Sequence, residues 1–128
     1  MTGLTRHDGP LRVGVAGLGR IGALHASNLF GEVPFARLVA VADIDKTRAR
    51  QTGERYGAAW TTDVEALLAD DSIDAIVIAT PHYDHCPIAL DAFAAGIHVM
   101  CEKPLAVGVK AGRDLIKQYE AKYADKVA

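Results

Sequence analysis

The chain has 128 residues, half of them apolar and 23% charged, which suits one domain with its own core. A net charge of −2 argues against nucleic acid and anionic membrane as partners. No stretch approaches the ~20 apolar residues of a membrane span. The first ten residues, MTGLTRHDGP, lack the apolar run of a signal peptide and read as a flexible tail, with one domain over 11–128. Cys86 and Cys101 have neither a disulfide framework nor metal-ligand spacing. They read as reduced, partly buried thiols, with a cytoplasmic setting as the default.

Short apolar runs alternate with amphipathic stretches. Leu11 to Ala16 is almost continuously apolar after Arg12, as a strand covered on both faces should be. A turn over Gly17 to Gly22 leads into a helix over Ile21 to Phe30, broken by Gly31 to Pro34. Phe35 to Ala42 is a second buried strand. A helix over Asp45 to Tyr56 follows, with Asp45 to cap it and Gly57 to end it. A short strand over Ala58 to Trp60 precedes a short helix capped by Asp63. Ile73 to Ala79 is the fourth strand, and Pro81 to Cys86 is a loop. Pro87 to Ala95 is a helix with Gly96 past its end. Ile97 to Cys101 is the fifth strand, Glu102 to Pro104 a loop, and Gly108 to Tyr123 the last helix.

This alternation predicts parallel βαβ units in an α/β, doubly wound parallel sheet of the Rossmann type, with strand order 3-2-1-4-5. Ligands of such sheets bind beyond the carboxyl ends of the strands, where the order reverses. The segment VGVAGLGRIG fits G-x-G-x-x-G directly after a strand and opening a helix. Gly17 suits the tight turn, Gly19 a close approach to a pyrophosphate, and Gly22 the packing of helix on strand. The helix N-terminus, at Arg20 and Ile21, turns free N–H groups toward the phosphates. Arg20 adds an ion pair or is solvated.

The second strand runs into Asp43 and Ile44, and Asp43 lies twenty-one positions past Gly22. An acid there accepts hydrogen bonds from the adenosine ribose and repels a 2′-phosphate, so NAD is expected over NADP. Lys46 and Arg48 keep NADP open. The plainer alternative is that Asp43 only caps the next helix, although Asp45 is better placed to do so.

Two later segments, ATPHYDHCP and HVMCEKPLA, join the glycine loop in a pattern. Together they resemble the N-terminal domain of the Gfo/Idh/MocA oxidoreductases, the family of glucose–fructose oxidoreductase and inositol dehydrogenase. Glu102-Lys103-Pro104, after a strand beginning Gly96-Ile97-His98-Val99, is the most specific match. Thr80, Pro81 and His85 resemble the family's T-P-N-x-x-H loop, with His82 where that loop commonly has Asn. The resemblance runs from Leu11 to about Ala128. It implies that Thr80, Pro81, His85, Glu102 and Lys103 meet the cofactor. Lys103 would hold a substrate oxygen and take part in proton transfer, if burial or neighbours lower its pKa. Glu102 would contact a cofactor ribose or orient the lysine, and Pro104 would shape the turn, often through a cis bond.

The other histidines read plainly: His7 in the tail, His25 and His98 in packing or surface roles. His82 and His85 serve either ligand contact or loop structure, and no metal site is expected. Family members usually carry a second domain that supplies sugar or polyol specificity and an aspartate–histidine pair. The chain is therefore expected to lack that domain and the sixth strand of this one. A free edge at strand 5 or its neighbour would then favour self-association. Three functions follow. The chain is the cofactor half of a sugar, inositol or polyol dehydrogenase, a nucleotide-binding module without turnover, or a folded piece that binds nothing. A methyltransferase using S-adenosylmethionine is a distant rival, and the Glu-Lys-Pro triplet argues against it.

Overall fold

A computed structural model describes residues 9–69, 71–81, 84–103, 106 and 108–127. Strands and helices alternate in the order β1 (Leu11–Ala16), α1 (Arg20–Gly31), β2 (Ala36–Ala42), α2 (Lys46–Tyr56), β3 (Ala59–Thr61), α3 (Val64–Leu68), β4 (Ala75–Ile78), α4 (His85–Ala94), β5 (His98–Cys101) and α5 (Val109–Gln118). A π-helical turn, Tyr119–Tyr123, extends α5. Every strand pairing is parallel, and the sheet order is β3-β2-β1-β4-β5. His7, His82 and Pro104 lie outside the described residues, as does most of the expected tail.

The sheet is covered on both faces because its strands alternate side chains between two cores. Ile76 and Ile78 point into one, packed under α3, α4 and α5 with Leu67, Ile88, Phe93 and Leu115. Val77 points into the other, with Val13, Val15, Val41 and Ala26 of α1. Asp45 caps α2 by accepting the Arg48 N–H at 3.1 Å, and Gly57 ends the helix in the left-handed region at φ +66°.

Several boundaries move by one residue from the sequence reading, and three differences are larger. The fourth strand is shorter than Ile73 to Ala79, although the Asp74 backbone still donates to the Arg12 carbonyl at 2.7 Å and accepts from His98 at 3.1 Å. The fourth helix begins at His85 rather than Pro87. Pro87 then falls third in the helix, where its missing N–H would have had no intrahelical acceptor. The last helix closes as a π turn. Phe93 of α4 stacks on Tyr119 and Tyr123 at 5.3 and 5.7 Å between ring centroids, and Tyr119 Oη donates to the Val127 carbonyl at 2.8 Å.

The strand order reverses between β1 and β4, so the turns after β1, β2, β4 and β5 share one rim of the sheet. At the opposite rim Arg12 holds Asp74 through its backbone N–H at 2.9 Å and its guanidinium at 3.1 and 2.8 Å. β5 stands last in the sheet, paired with β4 alone among the described residues.

Candidate functional site

The glycine loop is fixed by contact. Gly17 has φ +89°, and a Cβ there would lie 2.6 Å from the Ala79 carbonyl and the Thr80 nitrogen. A Cβ on Gly22 would lie 1.7 Å from the Gly17 carbonyl oxygen. These two positions therefore exclude any side chain. Gly19 differs: nothing lies within 4 Å of where its Cβ would stand. It is the N-cap of α1 and brings no side-chain cap. Ala23 donates to the Gly19 carbonyl at 2.8 Å, so the N–H groups of Arg20, Ile21 and Gly22 precede the first helical bond. Arg20 and Ile21 are both exposed at this end.

Asp43, at the end of β2, is only 7% exposed. Its Oδ2 accepts the Leu18 N–H at 2.7 Å and its Oδ1 the Asp45 N–H at 2.8 Å. The Arg48 guanidinium stands 3.6 Å from Oδ2. Asp43 thus fastens the glycine loop to the turn after β2, and Asp45 alone of the two caps α2. Ile44 is 89% exposed beside it. Gly17, Asp43, Ile44, Thr80 and Pro81 form one side of a cavity of about 320 Å³. Asp63, Glu65 and Asp84 line it as well and make it acidic. Glu65 is raised above the ordinary carboxylate range, first by a hydrogen bond with Asp91 and then by desolvation and nearby acids.

Thr80 follows β4. Its Oγ1 is buried and has no hydrogen-bond partner among the described residues. His85 is 1% exposed and donates from Nε2 to the Thr80 carbonyl at 2.8 Å. The imidazole thus holds the loop from below.

Glu102 follows β5, and its N–H donates to the Ile78 carbonyl at 2.9 Å. Its Oε1 accepts from Nε2 of His25, on α1, at 2.5 Å. The Glu102 carboxyl is held below its ordinary value, above all by that hydrogen bond. Desolvation opposes the shift, while attraction to His25, the Lys103 backbone N–H and the Lys103 charge add to it. Lys103 itself is exposed. Burial first, then Cys86 and Glu102, push the Cys101 thiol up to about 11. No group of three or more metal-ligating side chains occurs among the described residues.

Over residues 11–126 the chain matches the Gfo/Idh/MocA family, described as an oxidoreductase family with an NAD-binding Rossmann fold. The chain belongs to this family. It is 44% identical over 107 residues to an inositol 2-dehydrogenase of Rubrobacter xylanophilus, covering 84% of this chain and 31% of that one. It is 38% identical over 112 residues to the scyllo-inositol 2-dehydrogenase (NAD(+)) of Bacillus subtilis, covering 84% and 33%. The crystal structure of scyllo-inositol dehydrogenase from Lactobacillus casei with bound NAD(H) and scyllo-inositol superposes with a TM-score of 0.86. It is 25% identical, over 93% of this chain and 35% of that one. The chain spans about a third of the length of these relatives.

As a Gfo/Idh/MocA NAD-binding domain, the chain gathers its sequence-predicted residues in two groups. Gly17, Asp43, Ile44, Thr80 and Pro81 share one cavity, with Gly19, Arg20, Ile21 and Gly22 beginning the helix beside it. Glu102 and Lys103 stand at the end of β5, joined to α1 through His25. Sequence reasoning gave His25 no part in this rim. The available signal was its position three residues past Gly22 and one before Ala26, on the helix face that turns toward the sheet.

Proposed function

We propose that the chain binds NAD in preference to NADP along this rim and serves as the cofactor half of a dehydrogenase acting on an inositol or related polyol. The open space at Gly19, between two glycines locked by contact, carries the reading. A pyrophosphate fits there, facing the first amides of α1 without meeting a side chain. The unpartnered Thr80 hydroxyl fits a polar ligand in the same rim.

The nicotinamide, when bound, supplies the hydride acceptor or donor. The chain's residues bind and orient around it. Asp43 and the acidic cavity wall disfavour a 2′-phosphate, while Arg48 reduces that penalty. His85 keeps the Thr80-Pro81 loop in place. Lys103 offers an ammonium to a substrate hydroxyl oxygen and takes part in moving its proton. The inositol relatives support the substrate class, and a second reading stands beside the first. In it the chain alone binds NADH without turnover. The β5 edge and exposed Met100 favour self-association, and two cysteines without a disulfide framework suit a cytoplasmic setting.

Calorimetric titration with NAD⁺, NADH and NADP⁺, followed by an assay with myo-inositol, tests these readings. NADH binding without turnover supports the module. Tighter NADP⁺ binding overturns the reading of Asp43, and no binding of any of the three overturns the proposal.

A further inference from the structure

His25 and Glu102 lie 77 positions apart, yet their side chains meet at 2.5 Å. They come from different parts of the rim. His25 projects from α1, whose first turn carries the phosphate-facing amides. Glu102 leaves β5 immediately before Lys103. The pair is half-buried, with 21% and 33% of the two side chains exposed, so water screens the contact only in part.

The bond has a defined polarity. An ionised carboxylate only accepts, so Nε2 of His25 carries the proton and donates it. Glu102 stays ionised as its pH range widens downward, which keeps the acceptor present. The backbone of Glu102 is tied to β4 through the Ile78 carbonyl, which fixes the start of the turn. The side chain adds a second tether in another direction, toward α1. Two tethers of different direction fix a residue that one would leave free to pivot. The next residue in the chain is Lys103.

We propose that His25 is a positioning residue, holding Glu102 against α1 and so setting where Lys103 stands relative to the phosphate helix. This rests on the cofactor reading above, because Lys103 matters only if a nicotinamide lies near it. A tether between the two halves of the rim would act on the nicotinamide end and leave the adenosine end alone. A misplacement of about 1 Å at a reacting group is enough to cost activity heavily.

Binding of NADH and of ADP to the same variants separates the two ends, since ADP lacks the nicotinamide and its ribose. In His25→Leu, NADH affinity is expected to fall about tenfold, through lost positioning at the nicotinamide end. ADP affinity stays within about twofold of the parent. His25→Gln, whose amide N–H reaches toward the same carboxylate, recovers most of the NADH affinity. His25→Leu combined with Glu102→Leu is no weaker than the weaker single variant, because each single change already removes the same bond. Equal loss of NADH and ADP in His25→Leu would show a merely structural role and overturn the inference. So would unchanged NADH affinity, or failure of glutamine to rescue. If His25→Leu does not fold, His25→Ala against the parent makes the same comparison, since it too removes the donor: selective loss of NADH supports the tether, and equal or absent loss overturns it. If the parent binds ADP but gains nothing from the nicotinamide of NADH, the positioning role falls while adenosine binding stands. If it binds neither, the cofactor reading falls and takes the positioning role with it.

Discussion

Nε2 of His85 donates to the carbonyl of Thr80 at 2.8 Å, from a side chain that is 1% exposed. The same threonine keeps its Oγ1 buried with no partner among the described residues. One residue is thus held through its backbone while its hydroxyl remains unspent. A buried hydroxyl without a partner costs about 1–3 kcal/mol. Thr80→Val is therefore expected to leave stability unchanged or raise it by about 1 kcal/mol, and to weaken NADH binding. His85→Ala should do the reverse in stability, costing about 2–4 kcal/mol through a cavity and an unpaired carbonyl. Urea denaturation beside NADH titration reads both.

The three glycines of the loop should separate in experiment. Gly22→Ala places a methyl 1.7 Å from the Gly17 carbonyl oxygen, and the helix must move away from β1. Loss of the folded state, or a large drop in thermal midpoint, is expected. Gly19→Ala meets nothing within 4 Å, so its folding stability should shift by no more than about 0.5–1 kcal/mol. NADH affinity should fall nonetheless, because the methyl enters the space a phosphate would take. Equal thermal losses for both variants would contradict the contact argument.

Arg12 and Asp74 offer a control far from the rim. Arg12 lies five residues before Gly17 along β1, which puts the clasp about 16 Å from the start of the glycine loop. Arg12→Leu removes two guanidinium hydrogen bonds and leaves the backbone N–H to Asp74 in place. The arginine side chain is 41% exposed, which lowers the value of the ion pair. A destabilisation of about 1–2 kcal/mol in urea is expected, with NADH affinity unchanged.

Glu102 should report its partner through its own titration. Its carboxyl is held below the ordinary 4.5, with the His25 hydrogen bond the largest cause. A carboxyl lowered in the folded state contributes stability above its unfolded value, and that contribution is lost as the pH falls through the folded value. The His25–Glu102 tie is therefore expected to persist through the ordinary carboxylate value of 4.5 and to fail only as the pH falls through the lower folded value. In His25→Leu the Glu102 titration, followed by carboxyl carbon NMR, should move up toward 4.5. No movement would remove His25 as the cause.

Much of the fold was legible because its signals are local. Continuous apolar runs marked β1, β2 and β4, Asp45 and Gly57 marked the ends of α2, and the glycine spacing marked the turn between β1 and α1. The strand order followed from crossover handedness, a rule that needs no side-chain detail. What escaped depends on where elements meet. That Asp43 uses both oxygens on Leu18 and Asp45 is invisible until the loop is folded. His25 and Glu102 are joined only after β5 has been laid beside β4. The closing π turn, whose tyrosine rings sit on Phe93, carries no local sequence signal of this kind either.

Asp43 also limits how this domain can be re-engineered. Swapping the acid after the second strand for a small neutral residue is the direct way to admit a 2′-phosphate. Here that swap would strand two backbone amides and loosen the loop that shapes the binding surface. A change of coenzyme preference would start more safely at Ile44, which is exposed and makes no such bonds, with Arg48 already near enough to meet the added charge. On the proposed reading, the acid that would choose between coenzymes is thus also a structural tie of the loop, and the fold resists its replacement.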